Sequence, residues 1–244
     1  MSNSTPIKTP LSDGSVDWLL NFERGAKQAS SAFLKAYYQS SVPAADTPLS
    51  RVPFLAMDFE TTGLDASRDE IVSIGVVPFT LERIHYSQSK HWLVKPIAPL
   101  NADSVVFHGI THRDLDEAED FENVIEPLLK VMAGRVLVVH YRSIERPFLY
   151  RALEQRIHEG VVFPVVDTMA IEASLCRSSM WARIKQKLGI KPESIRLGDS
   201  RMRYGLPNYP SHHALTDALA TAELFQAEVA YHLSPETPIG DIWL

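Results

Sequence analysis

Two apolar runs separated by a short polar stretch constrain this chain more than any other feature. Residues 54–60 read as a strand and residues 70–79 (EIVSIGVVPF) as its hairpin partner, with polar turn residues between them. Residues 85–94 supply a third strand. From there the pattern alternates: a helix over 120–132, an apolar strand over 135–140 and a helix over about 144–158. A short strand near 161–166 and further helices complete it. Hairpin strands first, then strands alternating with helices, predict an α/β fold with a mixed sheet flanked by helices.

Ahead of the sheet, residues 17–38 read as one amphipathic helix. Trp18, Phe22, Ala26, Ala29, Phe33 and Tyr37 recur at three- and four-residue spacing. This helix is expected to pack on the main domain, with docking of a protein partner as the alternative. Residues 40–53 carry three prolines and read as a connector. The organisation is therefore an N-terminal helical extension with linker (1–50), a main domain (51–235) and a C-terminal tail (236–244).

Composition excludes several classes. The chain is 45% hydrophobic, too apolar for a disordered segment. Its single cysteine, Cys176, cannot form an internal disulfide. No apolar run approaches the roughly 20 residues needed to cross a bilayer, so no membrane role is expected. The first residues lack the charged-then-apolar order of a signal peptide, and a cytoplasmic setting follows as the expectation. A formal charge of -6 argues against coating nucleic acid by charge alone. Residues 177–203 run against that balance, with eight basic residues and two acids.

Chemistry concentrates in three places. Asp58 and Glu60 are two apart on a strand and so project from the same face. Paired carboxylates at the end of an apolar strand are costly unless a cation neutralises them, and oxygen ligands favour hard divalent ions. Two acids exposed on an edge strand are the alternative. Glu145 follows the strand 135–140, where Ser143 is a candidate N-cap that puts Glu145 in a helix's first turn. A first-turn Glu is also favourable with no metal at all. His213 and Asp217, four apart, share a helix face, where a His can activate water while the Asp holds a metal. Alone, that pair is equally a polar helix end.

Together the three segments resemble the DnaQ-like 3'-to-5' exonucleases of the histidine-containing (DEDDh) branch, and among them the bacterial DNA polymerase III epsilon type. Asp58-Phe59-Glu60-Thr61-Thr62-Gly63 resembles the first motif, residues 140–149 the second, and His213-Ala214-Leu215-Thr216-Asp217-Ala218 the third. Phe107-His108-Gly109-Ile110-Thr111 and Val166-Asp167-Thr168 are similar to weaker signatures between them. In the second motif this chain carries His140-Tyr141 and Ile144-Glu145 where the family usually has His-Asn and Phe-Asp.

The resemblance implies a ribonuclease H-like sheet and a two-metal-ion hydrolase. Asp58, Glu60, Glu145 and Asp217 would hold two divalent ions, Mg2+ or Mn2+, with Glu60 and His213 as catalytic residues and His213 as general base. The implied substrate is a single-stranded DNA or RNA 3' end, released as nucleoside 5'-monophosphates. Phe59, Thr61, Thr62, Gly63 and His108 are the expected substrate contacts. An RNA-trimming enzyme of the oligoribonuclease kind, or a non-catalytic binding module, are the alternatives. The short run after the domain leads us to expect no dedicated polymerase or sliding-clamp association. Arg201 and Arg203, in the basic stretch, are expected to hold phosphates upstream of the scissile bond.

Overall fold

A computed structural model describes residues 16–97, 109–177, 193–210 and 212–244. Its centre is a six-stranded mixed sheet. The strands are β1 (Phe54–Thr61), β2 (Ile71–Phe79), β3 (Lys90–Lys95), β4 (Glu119–Asp120), β5 (Val136–Val139) and β6 (Val165–Asp167). Their order is β4-β3-β2-β1-β5-β6. β1 pairs antiparallel with β2, and β2 with β3, whereas β5 lies parallel to both β1 and β6. The expected α/β mixed sheet is therefore present.

Position in the sheet explains composition. β2 has neighbours on both edges and all nine of its residues are buried, so it reads as a continuous apolar run rather than an alternating one. β1 is central too, which removes the exposed-edge reading of Asp58 and Glu60. On one face, Phe54 stacks on Phe79 at 5.3 Å between ring centroids, and Phe225 meets Phe54 edge-on at 5.1 Å. Phe225 belongs to a long helix, Ala214–His232, which packs across β1 and β2.

The remaining described helices, in chain order, are α1 (Trp18–Gln28), α2 (Ala32–Gln39), α3 (His112–Asp116), α4 (Phe121–Met132), α5 (Arg142–Ile157), α6 (Thr168–Arg177) and α7 (Leu197–Arg203); Ala214–His232 is α8. No described helix is long and apolar enough to cross a membrane.

The extension departs from its expectation. Instead of one helix over 17–38 there are two, α1 and α2, broken at residues 29–31. The cause is a distant carboxylate: Glu159 accepts from the backbone N–H of Ser30 at 2.9 Å and of Ser31 at 2.7 Å. Two N–H groups fixed to an outside acceptor are unavailable to a continuous helix. The pair packs inward, with Trp18, Phe22, Leu34, Tyr37 and Tyr38 in the main core. At the other end, Leu244 and Val165 exchange backbone hydrogen bonds at 2.9 and 3.3 Å, and Trp243 is buried.

Candidate active site

Strand β1 ends with Asp58 and Glu60 on the face covered by α8. Opposite them in the ladder stand Gly75 and Ser73. Gly75 decides how near the helix comes. A β carbon there would lie 2.3 Å from the carbonyl of Ala214, so only glycine lets the first residue of α8 rest on the sheet. Asp217, one turn into that helix, is thereby delivered to the two strand carboxylates. Asp58, Glu60 and Asp217 each offer an oxygen within 4.8 Å of the others.

The approach to Asp217 is set locally. His213 is the N-cap of α8, with extended backbone, and its Nδ1 accepts from the Thr216 N–H at 3.4 Å. His212 lies in the left-handed region (φ 69°), and its N–H donates to Asp217 Oδ2 at 2.8 Å. A neighbouring strand also reaches this point: the His91 ring of β3 lies 4.8 Å from the His213 ring.

Glu145 enters from α5. It lies in the first turn as expected, but Ser143 does not cap the helix. The cap is Tyr141, in the left-handed region at φ 100°, and it makes no side-chain cap bond. Asp167, at the end of β6, does that work from outside: its oxygens accept from the N–H groups of Tyr141 and Arg142, both at 3.1 Å. An acceptor supplied by another strand makes Ser143 unnecessary as a cap. Glu145 is only 3% exposed, and its Oε2 has no hydrogen-bond partner among the described residues.

Crowding and burial push every acid of the group upward. Asp58 is raised well above the usual carboxylate range by burial and then by the charges of Glu145, Asp217 and Glu60. Burial and Asp217 push Glu60 up to about 7. Burial, with Asp167 adding to it, pushes Glu145 up to about 8. Asp217 is raised by burial against the lowering effect of the His212 N–H. Three carboxylates within 4.8 Å of one another, with Glu145 outside that group but acting on Asp58 and carrying an orphaned buried oxygen, fit a site for hard divalent cations.

The second histidine of the motifs is structural. Nε2 of His140 donates to the Ile195 carbonyl at 3.0 Å and Nδ1 faces the Thr168 hydroxyl at 2.7 Å. Burial pushes it down to about 4, so it stays neutral. His213 is exposed, as are His212 beside it and His91 of β3.

The expected substrate contacts divide. Phe59 is 6% exposed and belongs to the core. The hydroxyl of Thr61 donates to the Gly63 carbonyl at 2.6 Å, and that of Thr62 accepts from the Glu70 N–H at 3.0 Å, so both are engaged in the turn. His108 lies outside the described residues, as does most of the basic stretch. Arg201 is not an available phosphate ligand, whereas Arg203 is exposed but engaged by internal acceptors. Arg201 is 3% exposed and bonds Ala220 O, Pro207 O and Glu223. Arg203 bonds Ser194 O, Glu172 and Ser200. A basic sequence run reveals charge but not the internal acceptors that consume it.

Sequence reasoning gave no role to Asp167, which holds the turn before Glu145, or to Gly75 and His91. A glycine inside an otherwise apolar strand was the available signal for Gly75.

Known proteins resemble this chain in sequence and fold. A family profile described as "Exonuclease" matches residues 55–225. DNA polymerase III subunit epsilon of Treponema pallidum is 29% identical, covering 74% of this chain and 78% of its own. An epsilon-like protein of Rhodobacter capsulatus is 32% identical, covering 74% of this chain and 24% of its own. In the PolC-type DNA polymerase III of Thermotoga petrophila, 29% identical over 74% of this chain, the match spans only 12% of the relative. Among solved structures, the nuclease domain of 3'hExo, a DEDDh family member bound to rAMP, has a TM-score of 0.59 at 14% identity, covering 78% of this chain and 94% of that one. Cell-death related nuclease 4 gives 0.58 at 23%, covering 75% and 64%. The sheet order is thus the ribonuclease H-like one, and with the family profile spanning all four acidic positions and His213, the chain belongs to the exonuclease family.

Proposed function

We propose that the chain is a metal-dependent 3'-to-5' exonuclease acting on single-stranded DNA or RNA ends. The observation that carries this reading is the convergence of Asp58, Glu60 and Asp217 within 4.8 Å, with His213 at the head of the helix that bears Asp217. Asp58, Glu60, Glu145 and Asp217 would hold the ions. When bound, divalent cations reverse the field of the acids, so that a phosphate can approach, and they supply Lewis acidity toward the attacking water and the departing 3' oxygen.

The chain's own groups do the rest. His213, solvent-exposed and held one helical turn from Asp217, takes the proton of the attacking water. Water then adds to the terminal phosphodiester, the bond to the 3' oxygen breaks, and a nucleoside 5'-monophosphate leaves. Asp167 keeps the first turn of α5 in place and with it the Glu145 carboxylate.

Matched DNA and RNA oligomers labelled at the 5' end test this. The expected result with Mg2+ or Mn2+ is a ladder shortening from the 3' end, abolished by chelator and by Asp58→Ala. His213→Ala should lose about 10²–10⁴-fold in rate while still binding metal. Full turnover in chelator, or in Asp58→Ala, would overturn the reading. Metal binding with no cleavage of either polymer would favour a binding module.

A further inference from the structure

His213 is weakly held for a residue that must meet a water in a fixed geometry. It is exposed, and its hydrogen bonds, to the Thr216 N–H at 3.4 Å and the Thr216 hydroxyl at 3.3 Å, are both long. Its ring also meets the His91 ring, at 4.8 Å between centroids and a tilt of 37°.

His91 is itself anchored. It pairs with Gly75 across the β2–β3 ladder, and Ser73 lies two residues from Gly75, on the same face. Ser73 is 1% exposed, and its hydroxyl lies 2.8 Å from His91 Nε2. A buried hydroxyl needs a partner, and here the imidazole provides it. The sheet therefore carries, on one face, Asp58 and Glu60 from β1, Ser73 and Gly75 from β2, and His91 from β3. Gly75 opens the space in which α8 starts, and His91 borders that space on the side away from Asp58. His213 heads the helix that bears Asp217, and its ring meets the His91 ring.

We propose that His91 is a positioning residue for the general base: anchored by Ser73, its ring holds the His213 imidazole against free rotation at the head of α8. This rests on the reading of His213 as the base. His91 touches neither substrate nor the acids in this role; it acts through His213. An aromatic replacement keeps the ring-to-ring contact but loses the Ser73 anchor, so it should retain only part of the effect. A misplacement of about 1 Å in a reacting group costs on the order of 10²-fold in rate, which sets the scale of the effect.

The test compares kcat and KM on a short labelled oligonucleotide in Mg2+ for wild type, His91→Ala, His91→Phe, His213→Ala and the double variant His91→Ala/His213→Ala. His91→Ala should lower kcat about 10- to 100-fold with KM unchanged. His91→Phe should recover part of that loss and stay below wild type. The double variant should be no slower than His213→Ala, because a positioning residue has nothing to position once the base is gone. Unchanged kcat in His91→Ala, a loss confined to KM, or the same loss repeated on the His213→Ala background would overturn the proposal. Full activity in His213→Ala would instead remove the base reading itself, and the proposal with it.

Discussion

Gly75 stands directly across the ladder from Asp58, and the backbone of Ala214 rests on it so closely that a β carbon would lie 2.3 Å from the Ala214 carbonyl. One missing side chain thus sets the separation between the strand that carries two acids and the helix that carries the third. The site is made by the absence of bulk as much as by the presence of charge.

Gly75→Ala should therefore act on chemistry beyond its cost in stability. Backbone atoms of Ala214 and Leu215 cannot rotate aside as a side-chain tip would, so α8 must lift. Overpacking of this kind costs about 1–3 kcal/mol. The shift parts Asp217 from Asp58 and should lower kcat on the order of 10²-fold. Thermal unfolding, kcat and a Mn2+ titration on the same variant check this. A folded variant with wild-type rate and metal affinity would show that the helix has room to spare.

Glu145 is the chain's departure from the family's usual Asp, and its buried Oε2 lacks a partner. Glu145→Gln keeps the shape and removes the charge. It should reduce turnover by about 10²-fold or more, the scale of the several kcal/mol at stake in a metal site. Glu145→Asp keeps the charge on a shorter arm and should remain much closer to wild type. Steady-state rates for the three proteins at saturating Mg2+ decide it. Equal rates in all three would mean that no ion depends on this position.

Arg201 should matter to folding and not to substrate length. It is almost fully buried, donates to Ala220 O at 2.6 Å and Pro207 O at 2.9 Å, pairs with Glu223 at 2.7 Å and lies over the Tyr209 ring. Arg201→Ala removes those bonds and the cation beside Glu223, which keeps only the Tyr209 hydroxyl, a change that costs about 3–5 kcal/mol where an ion pair is buried. Denaturant unfolding should detect that loss. Below the new transition, KM for a long oligonucleotide should equal that of wild type. A KM raised for long substrates alone, with stability intact, would restore a phosphate-binding role.

These cases mark what the sequence made legible. Asp58 with Glu60 and His213 with Asp217 are pairs whose spacing matches a strand and a helix, so local periodicity alone aims them. The sheet was readable because β1, β2 and β5 are apolar runs of strand length bounded by polar turns. What escaped depends on partners far along the chain. Glu159 breaks the N-terminal helix from 128 residues away, Asp167 takes over the cap from Ser143, and Glu223 draws Arg201 inside. No local pattern encodes an acceptor that arrives only when the sheet has formed. His91 escaped for the same reason, since its significance lies in the helix that Gly75 admits.

Metal and pH should act on stability in opposite directions. In the metal-free protein burial pushes Glu60 up to about 7 and Glu145 up to about 8, from an ordinary 4.5. Across that interval the folded protein keeps protons that the unfolded chain has already lost. These two carboxyls make stability fall as pH rises from about 4.5 to about 8, because the fold keeps their protons longer, while His140, pushed down to about 4 from 6.5, opposes them over the lower part of that range. Divalent ions bind the ionised carboxylates and compete with those same protons. Their stabilising effect should be small at the acid end of the window and largest near its upper end. Scanning calorimetry in chelator should show a Tm that declines with pH over the upper part of this range, and excess Mg2+ or Mn2+ should flatten the decline. Glu145→Gln, neutral throughout, should decline less steeply without metal and gain less from it. A metal-free Tm that rises with pH between about 6.5 and 8, above the range of His140, would mean that the cluster is already ionised in the fold, and that something other than a bound cation neutralises it.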